Sequence, residues 1–174
     1  MNAAAARDRA IITGYQGPKV RIMEVCGTHT HEIFRLGIRS LLPEAVELIS
    51  GPGCPVCVTS VSYIDEALYL AEKCHATICT FGDLVRVPGT AGTLAEARSR
   101  GARVQVVYTP LDAVTYATEH PEEETVFLSV GFETTTPAAC LALRHAEAQH
   151  TANFSLLTAN KTMPAAYTAM ASHT

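Results

Sequence analysis

Residues 125–149 read TVFLSVGFETTTPAACLALRHAEAQ. Thr125 to Val130 is a short run of β-branched and apolar residues ended by a glycine, which suits a buried strand. Gly131-Phe132-Glu133-Thr134-Thr135-Thr136 breaks the run. Pro137 then suits the first position of a helix, with Thr136 as N-cap, and a helix is expected over Pro137 to Gln149. A strand, a polar turn and a helix in this order form half of a βαβ unit.

The same order recurs outward along the chain. Val20 to Val25, Val46 to Ser50, Thr77 to Thr80, Val104 to Tyr108 and Phe154 to Thr158 also read as strands. Helices are expected over His31 to Leu42, Ser60 to Lys73, Thr93 to Arg100 and Leu111 to Glu119. In the Ser60 segment, Val61, Ile64, Leu68 and Ala71 recur at helical spacing. Strands alternating with helices imply an α/β fold of parallel-sheet βαβ units, Rossmann-like in plan. Gly82 to Gly92 is the best candidate for a long functional loop or an interdomain crossing. Pro164 to Thr174 reads as the start of a helix with no strand after it, so the chain is expected to be a piece of something longer.

The bulk properties exclude several classes. The chain has 174 residues, 48% of them apolar and 17% charged, which is a globular composition. A net charge of −4 supplies no basic excess for a nucleic-acid backbone. No apolar run approaches the ~18 residues of a membrane span. The N-terminal Met1-Asn2-Ala3-Ala4-Ala5-Ala6-Arg7-Asp8 is charged too soon for a secretory leader, so the cytoplasm is the default compartment.

Six cysteines are many for such a chain. In a reducing compartment a cysteine cluster points to metal or redox chemistry rather than disulfides. Cys74, Cys79 and Cys140 stand in apolar surroundings and read as buried small hydrophobes. Cys26, Cys54 and Cys57 stand instead among Gly, Pro, Thr and His. Cys26 ends a strand just ahead of a helix, whose N-terminus favours the thiolate, and His29 or His31 would add to this when protonated. The alternative is a buried cysteine backed by the capping residues Thr28 and Thr30. Cys54-Pro55-Val56-Cys57 has the spacing that lets two sulfurs face one point at a helix start, as a metal pair or a dithiol needs. Gly51 and Gly53 are expected to supply backbone angles closed to other residues.

Each polar cluster follows a strand, and in open α/β sheets ligand sites gather at strand carboxyl ends. Phe81-Gly82-Asp83, Gly131-Phe132-Glu133 and Asn160-Lys161 join the cysteine motifs in that placement. Glu133 reads either as a proton donor and acceptor in a cleft or as a cap on the following helix. Asp83 and Arg86 read as a loop-fixing ion pair. His75, His120, His145, His150 and His173 read as solvated. The phosphate-cradling GxxxxGK(S/T) and GxGxxG patterns are absent, and so is a second Cys-x-x-Cys for a structural zinc site.

Four motifs in order, MEVCGTHTHEIFR, GPGCPVCVT, FGDLVRVPG and GFETTTP, resemble the HypD family of hydrogenase maturation factors. The resemblance implies a scaffold that carries iron during assembly of the Fe(CN)2CO group of nickel–iron hydrogenase. It implies a small HypC-like chaperone, a HypE-like cyanide donor and, indirectly, the hydrogenase large subunit as partners. It makes Cys26 the iron ligand, with His29 beside it to orient or protonate. It makes Cys54 and Cys57 a redox dithiol. Gly27, Thr28, Gly53 and Glu133 would line or tune the site. A thiol–disulfide oxidoreductase centred on Cys54 and Cys57 is the alternative. The family also implies a 4Fe–4S cluster whose cysteines lie in a C-terminal part that this chain lacks. By the same resemblance, residues 1–100 would hold a first α/β domain and 101–174 part of a second.

Overall fold

Strand β5 (Thr125–Gly131) is buried along its whole length and sits between two neighbours. On one side lies β3 (Thr77–Thr80), with β4 (Val104–Val106) beyond it; on the other lies β6 (Phe154–Asn160). The order is β4-β3-β5-β6 and every pairing is parallel. These belong to a computed structural model that describes residues 3–172; His173 and the first two residues of the N-terminal stretch lie outside them.

Side chains alternate across a strand, so each strand feeds two cores. Ile78, Val126, Leu128 and Val130 meet α3 (Val61–Glu72) and α4 (Leu94–Ser99) on one face. Cys79 and Phe127 meet α5 (Pro110–Glu119) and α6 (Thr136–Ala148) on the other. Covering both faces explains why β5 reads as an unbroken apolar run. Fully buried side chains such as Ile78 and Leu128 each contribute about 1.5–3 kcal/mol. Capping boxes start α4 at Thr93/Glu96 and α5 at Thr109/Asp112.

The chain leaves β3 through α4 on one face and leaves β5 through α6 on the other. Winding therefore reverses between β3 and β5, which makes the carboxyl ends of these two strands the topological switch point. The turns Phe81-Gly82-Asp83 and Gly131-Phe132-Glu133 flank it.

Two compact units are present, Met1–Cys54 and Pro55–Thr174. The sheet just described lies in the second. Position 100, where the family resemblance implies a domain boundary, falls inside that unit, because β3 and β4 on either side of it are paired. For the same reason Gly82 to Gly92 is an internal β3–α4 connection and not a crossing between units. The first unit contains α1 (Ala3–Thr13), β1 (Val20–Glu24), α2 (Gly27–Arg35) and β2 (Val46–Ser50). Here β1 and β2 pair in parallel, from Val20 opposite Val46 to Glu24 opposite Ser50.

Several element bounds differ from expectation. Gly37 adopts φ +61°, so the expected helix from His31 to Leu42 ends at Arg35 and resumes as a 3-10 turn, Ile38–Leu41. Helix α2 starts at Gly27, four positions before His31, because Cys26 takes the cap position. Helix α1 has no apolar stripe; its alanines sustain it by propensity, which periodicity does not register. Helix α7 (Pro164–Ala171) is a formed short helix. Among the described residues no helix is long and apolar enough to cross a membrane.

Candidate thiol site

Cys26 has extended backbone angles, φ −149° and ψ 123°, at the N-cap of α2. It makes no standard side-chain capping bond. The nearby backbone N–H groups of His29 and Thr28, and the Thr28 hydroxyl, still favour its charged form. Donors to the thiolate outweigh partial burial and the nearby Glu24 charge, so the thiol is held below the ordinary cysteine range. His29 acts on Cys26 through its main chain; its ring is exposed. A Cβ on Gly27 would meet nothing within 4 Å, so this position in the first turn of α2 is open.

The Gly51-Pro52-Gly53-Cys54 loop follows β2 and lies against the turn between β1 and α2. A Cβ on Gly53 would stand 2.0 Å from the Val25 carbonyl oxygen and 2.5 Å from the Cys26 nitrogen. A Cβ on Gly51 would stand 2.6 Å from Met23 Cγ and Sδ. Neither glycine has a positive φ. They are required for close approach of backbone to its neighbours, not for the unusual angles expected of them. The result brings the backbone of the Cys54 loop beside that of Cys26.

Glu24, unremarked in the sequence reading, joins the two segments. Its Oε2 accepts from Thr30 Oγ1 at 2.7 Å and its Oε1 accepts from Ser50 Oγ at 2.7 Å. Its main-chain oxygen accepts from Gly51 N at 2.7 Å. The Ser50 and Thr30 hydroxyls, with Arg39 and His29 nearby, hold the Glu24 carboxyl below the usual carboxylate range. Its place as the last residue of β1, two positions before Cys26, is the one sequence signal that bears on it.

Cys54 is half-buried, and Cys57 is exposed on a 3-10 turn, Val56–Val58. The long helix α3 begins only at Val61, so Cys57 precedes it rather than opening it. The two cysteines fall on either side of the division between compact units.

In the second unit, Gly131 is again a close approach: a Cβ would stand 1.8 Å from Thr135 Oγ1. Thr135 and Thr136 hydroxyls both donate to the Phe132 carbonyl, which starts α6 at Thr136 with Thr135 as N-cap. The expected cap, Thr136, is thus the first helical residue. Asn160 ties this turn to β6, accepting from Ser129 Oγ at 2.7 Å and donating to Thr136 Oγ1 at 3.2 Å. Glu133 does cap a helix, but not the following one. Its Oε1 accepts from Met163 N at 2.7 Å, at the N-cap of α7.

The loop after β3 is held by Asp65 of α3, whose carboxylate accepts from Thr90 N at 2.6 Å and Thr90 Oγ1 at 2.7 Å. No Asp83–Arg86 ion pair forms, among the described residues, and both side chains are exposed. Of the three cysteines expected to be buried, only Cys79 is; Cys74 and Cys140 are exposed. Burial, with Glu123 adding to it, pushes the Cys79 thiol up to about 12. His75, His145 and His150 are exposed as expected. His120 is half-buried and stacks on Tyr116, with ring centroids 4.0 Å apart.

Among the described residues no group of three or more His, Cys, Asp or Glu side chains is arranged to hold a metal ion. A 4Fe–4S cluster does not fit the cysteines outside the two motifs: Cys79 is sealed in a helix–sheet core, while Cys74 and Cys140 are exposed on separate elements.

Comparison with known proteins agrees with the motifs. The family model HypD, described as the hydrogenase formation hypA family, matches residues 4–174. "Hydrogenase maturation factor HypD" of Escherichia coli is 48% identical over 149 residues, 85% of this chain and 40% of that protein. The protein of the same name from Cupriavidus necator is 48% identical over 153 residues, 87% of this chain and 40% of its own length. That of Azotobacter vinelandii is 43% identical over 167 residues, 94% of this chain and 44% of its own length. This chain thus spans about two fifths of the length of these curated relatives. With the four motifs, the parallel α/β fold and this match along nearly its whole length, the chain belongs to the HypD family.

Proposed function

We propose that this chain is the thiol-bearing part of a hydrogenase maturation scaffold that holds iron while the Fe(CN)2CO group of nickel–iron hydrogenase is assembled. The carrying observation is the placement of Cys26 at the N-cap of α2, where the N–H groups of the helix start favour the thiolate. Iron with cyanide and carbonyl ligands is soft, and thiolate is the soft ligand a protein offers. Cys26 binds the iron in this reading, and Thr28 and His29 tune it through their hydrogen bonds. Cys54 and Cys57, three positions apart, are the paired thiols of this reading.

A HypC-like chaperone shares the cargo, a HypE-like protein donates cyanide, and the hydrogenase large subunit receives the finished group. The cytoplasm is the compartment this reading assigns, since a reducing environment keeps six cysteines available.

The test is infrared spectroscopy of the purified complex with the HypC-like chaperone. Cyanide and carbonyl stretches are expected, with their loss in Cys26→Ala. Full iron loading in Cys26→Ala would overturn the ligand assignment.

A further inference from the structure

One carboxylate spans both thiol-bearing segments of the first unit. Oε2 of Glu24 accepts from Thr30, in the first turns of the helix that Cys26 caps. Oε1 accepts from Ser50, the last residue of β2 before the Gly51–Cys54 loop. The Ser50 oxygen itself accepts from Arg39 NH2 at 3.0 Å, so its single hydrogen is directed to Glu24. Thr30 N also donates to the Cys26 carbonyl at 3.0 Å; the Thr30 hydroxyl lies 3.2 Å from the same oxygen, and its one hydrogen goes to the shorter Glu24 contact. The main chain repeats the link, with Gly51 N donating to the Glu24 carbonyl.

We propose that Glu24 is a positioning residue that sets the spacing between Cys26 and Cys54. This rests on the reading of Cys26 as the iron-holding thiolate, and it adds a residue that is not itself a ligand. Each carboxylate oxygen accepts from one hydroxyl, Thr30 on one side and Ser50 on the other. The two hydrogen bonds run to different segments, so loss of the carboxylate removes the side-chain tie between the cysteine loops and leaves the Gly51–Glu24 main-chain bond to hold them more loosely. Gly53 keeps the loops in contact; Glu24 fixes where along that contact they lie.

The test uses the full 174-residue chain, with the exposed Cys74 and Cys140 changed to Ser, and the bifunctional thiol reagent dibromobimane. With Cys57→Ser added, bridging reports Cys26 with Cys54. With Cys26→Ser added instead, it reports Cys54 with Cys57. Glu24→Ala is expected to slow Cys26–Cys54 bridging roughly tenfold, the scale of losing a hydrogen bond to a charged group. Cys54–Cys57 bridging and the far-ultraviolet circular dichroism are expected to stay unchanged. Glu24→Gln keeps one acceptor oxygen and is expected to restore part of the rate, while Thr30→Val and Ser50→Ala each remove one arm and fall between. Wild-type Cys26–Cys54 bridging in Glu24→Ala overturns the proposal, as does an equal slowing of both pairs, which would mark a general loss of fold. The assay needs no iron, so its failure is distinct from retention of iron by Cys26→Ala.

Discussion

A Cβ placed on Gly53 would stand 2.0 Å from the carbonyl oxygen of Val25, so the loop that carries Cys54 lies directly on the turn that carries Cys26. The opposing atoms are backbone and cannot swing aside. Gly53→Ala is therefore expected to destabilise the protein by about 1–3 kcal/mol, the usual cost of forcing atoms into filled space. Gly27→Ala is the contrast, since a Cβ there meets nothing within 4 Å. Urea unfolding of the two variants measures the difference, and equal midpoints would refute the close approach.

Thiol reactivity should separate the cysteines by environment. Cys26 is favoured as thiolate by the His29 and Thr28 donors, so its labelling by iodoacetamide should rise on the acid side of the ordinary cysteine value of about 8.5. Cys79, sealed between β3 and the helices, should label only after unfolding. Mass spectrometry of labelled peptides across pH reads both. Thr28→Val should move the Cys26 midpoint upward; an unmoved midpoint would remove the hydroxyl from the account.

Glu133 offers a different kind of check. Its carboxylate accepts from the N–H of Met163 and so begins α7. Glu133→Ala should cost about 0.5–2 kcal/mol of local stability, as loss of a cap does. Hydrogen exchange should quicken at Met163 and in α7 while amides of the β5–β6 pairing stay protected. If the α7 amides exchange as in wild type, Glu133 is not the cap.

Acid stability should depend on Glu123. The Thr77 hydroxyl first, then the Tyr116 hydroxyl and Arg103, hold its carboxyl below the ordinary glutamate value. A depressed folded value adds stability above the unfolded pKa of about 4.3, and this is lost as pH falls through the folded value. Glu123→Gln should lower stability at neutral pH and flatten its decline in acid. Urea midpoints measured from about pH 3 to pH 6 would show this; parallel curves for the two proteins would contradict it.

How much of this was legible depends on the distance over which each feature is decided. Val46–Ser50 and Thr77–Thr80 have the bounds their residues predict, and β5 reads as a central strand, because local apolar runs ended by glycine, proline or polar residues decide them. The parallel α/β plan follows from alternation alone. The breaks and starts that depend on one residue's conformation, such as the left-handed Gly37, were not visible in periodicity.

By itself, the amino-acid sequence determined the family, the succession of strands and helices along the chain and which cysteines stand in the family's motifs, since motif and pattern are properties of neighbouring residues. Only the tertiary structure decided what holds those thiols. Glu24 meets Ser50 because β1 and β2 pair in one register, and Glu133 meets Met163 because β5 and β6 end side by side. Gly53 faces the Val25–Cys26 backbone and Gly51 the Met23 side chain, each within contact distance of a Cβ. Cys74 and Cys140 are exposed because their positions face away from both cores. Such contacts join residues far apart in the chain, and register and packing, which no local pattern records, select them.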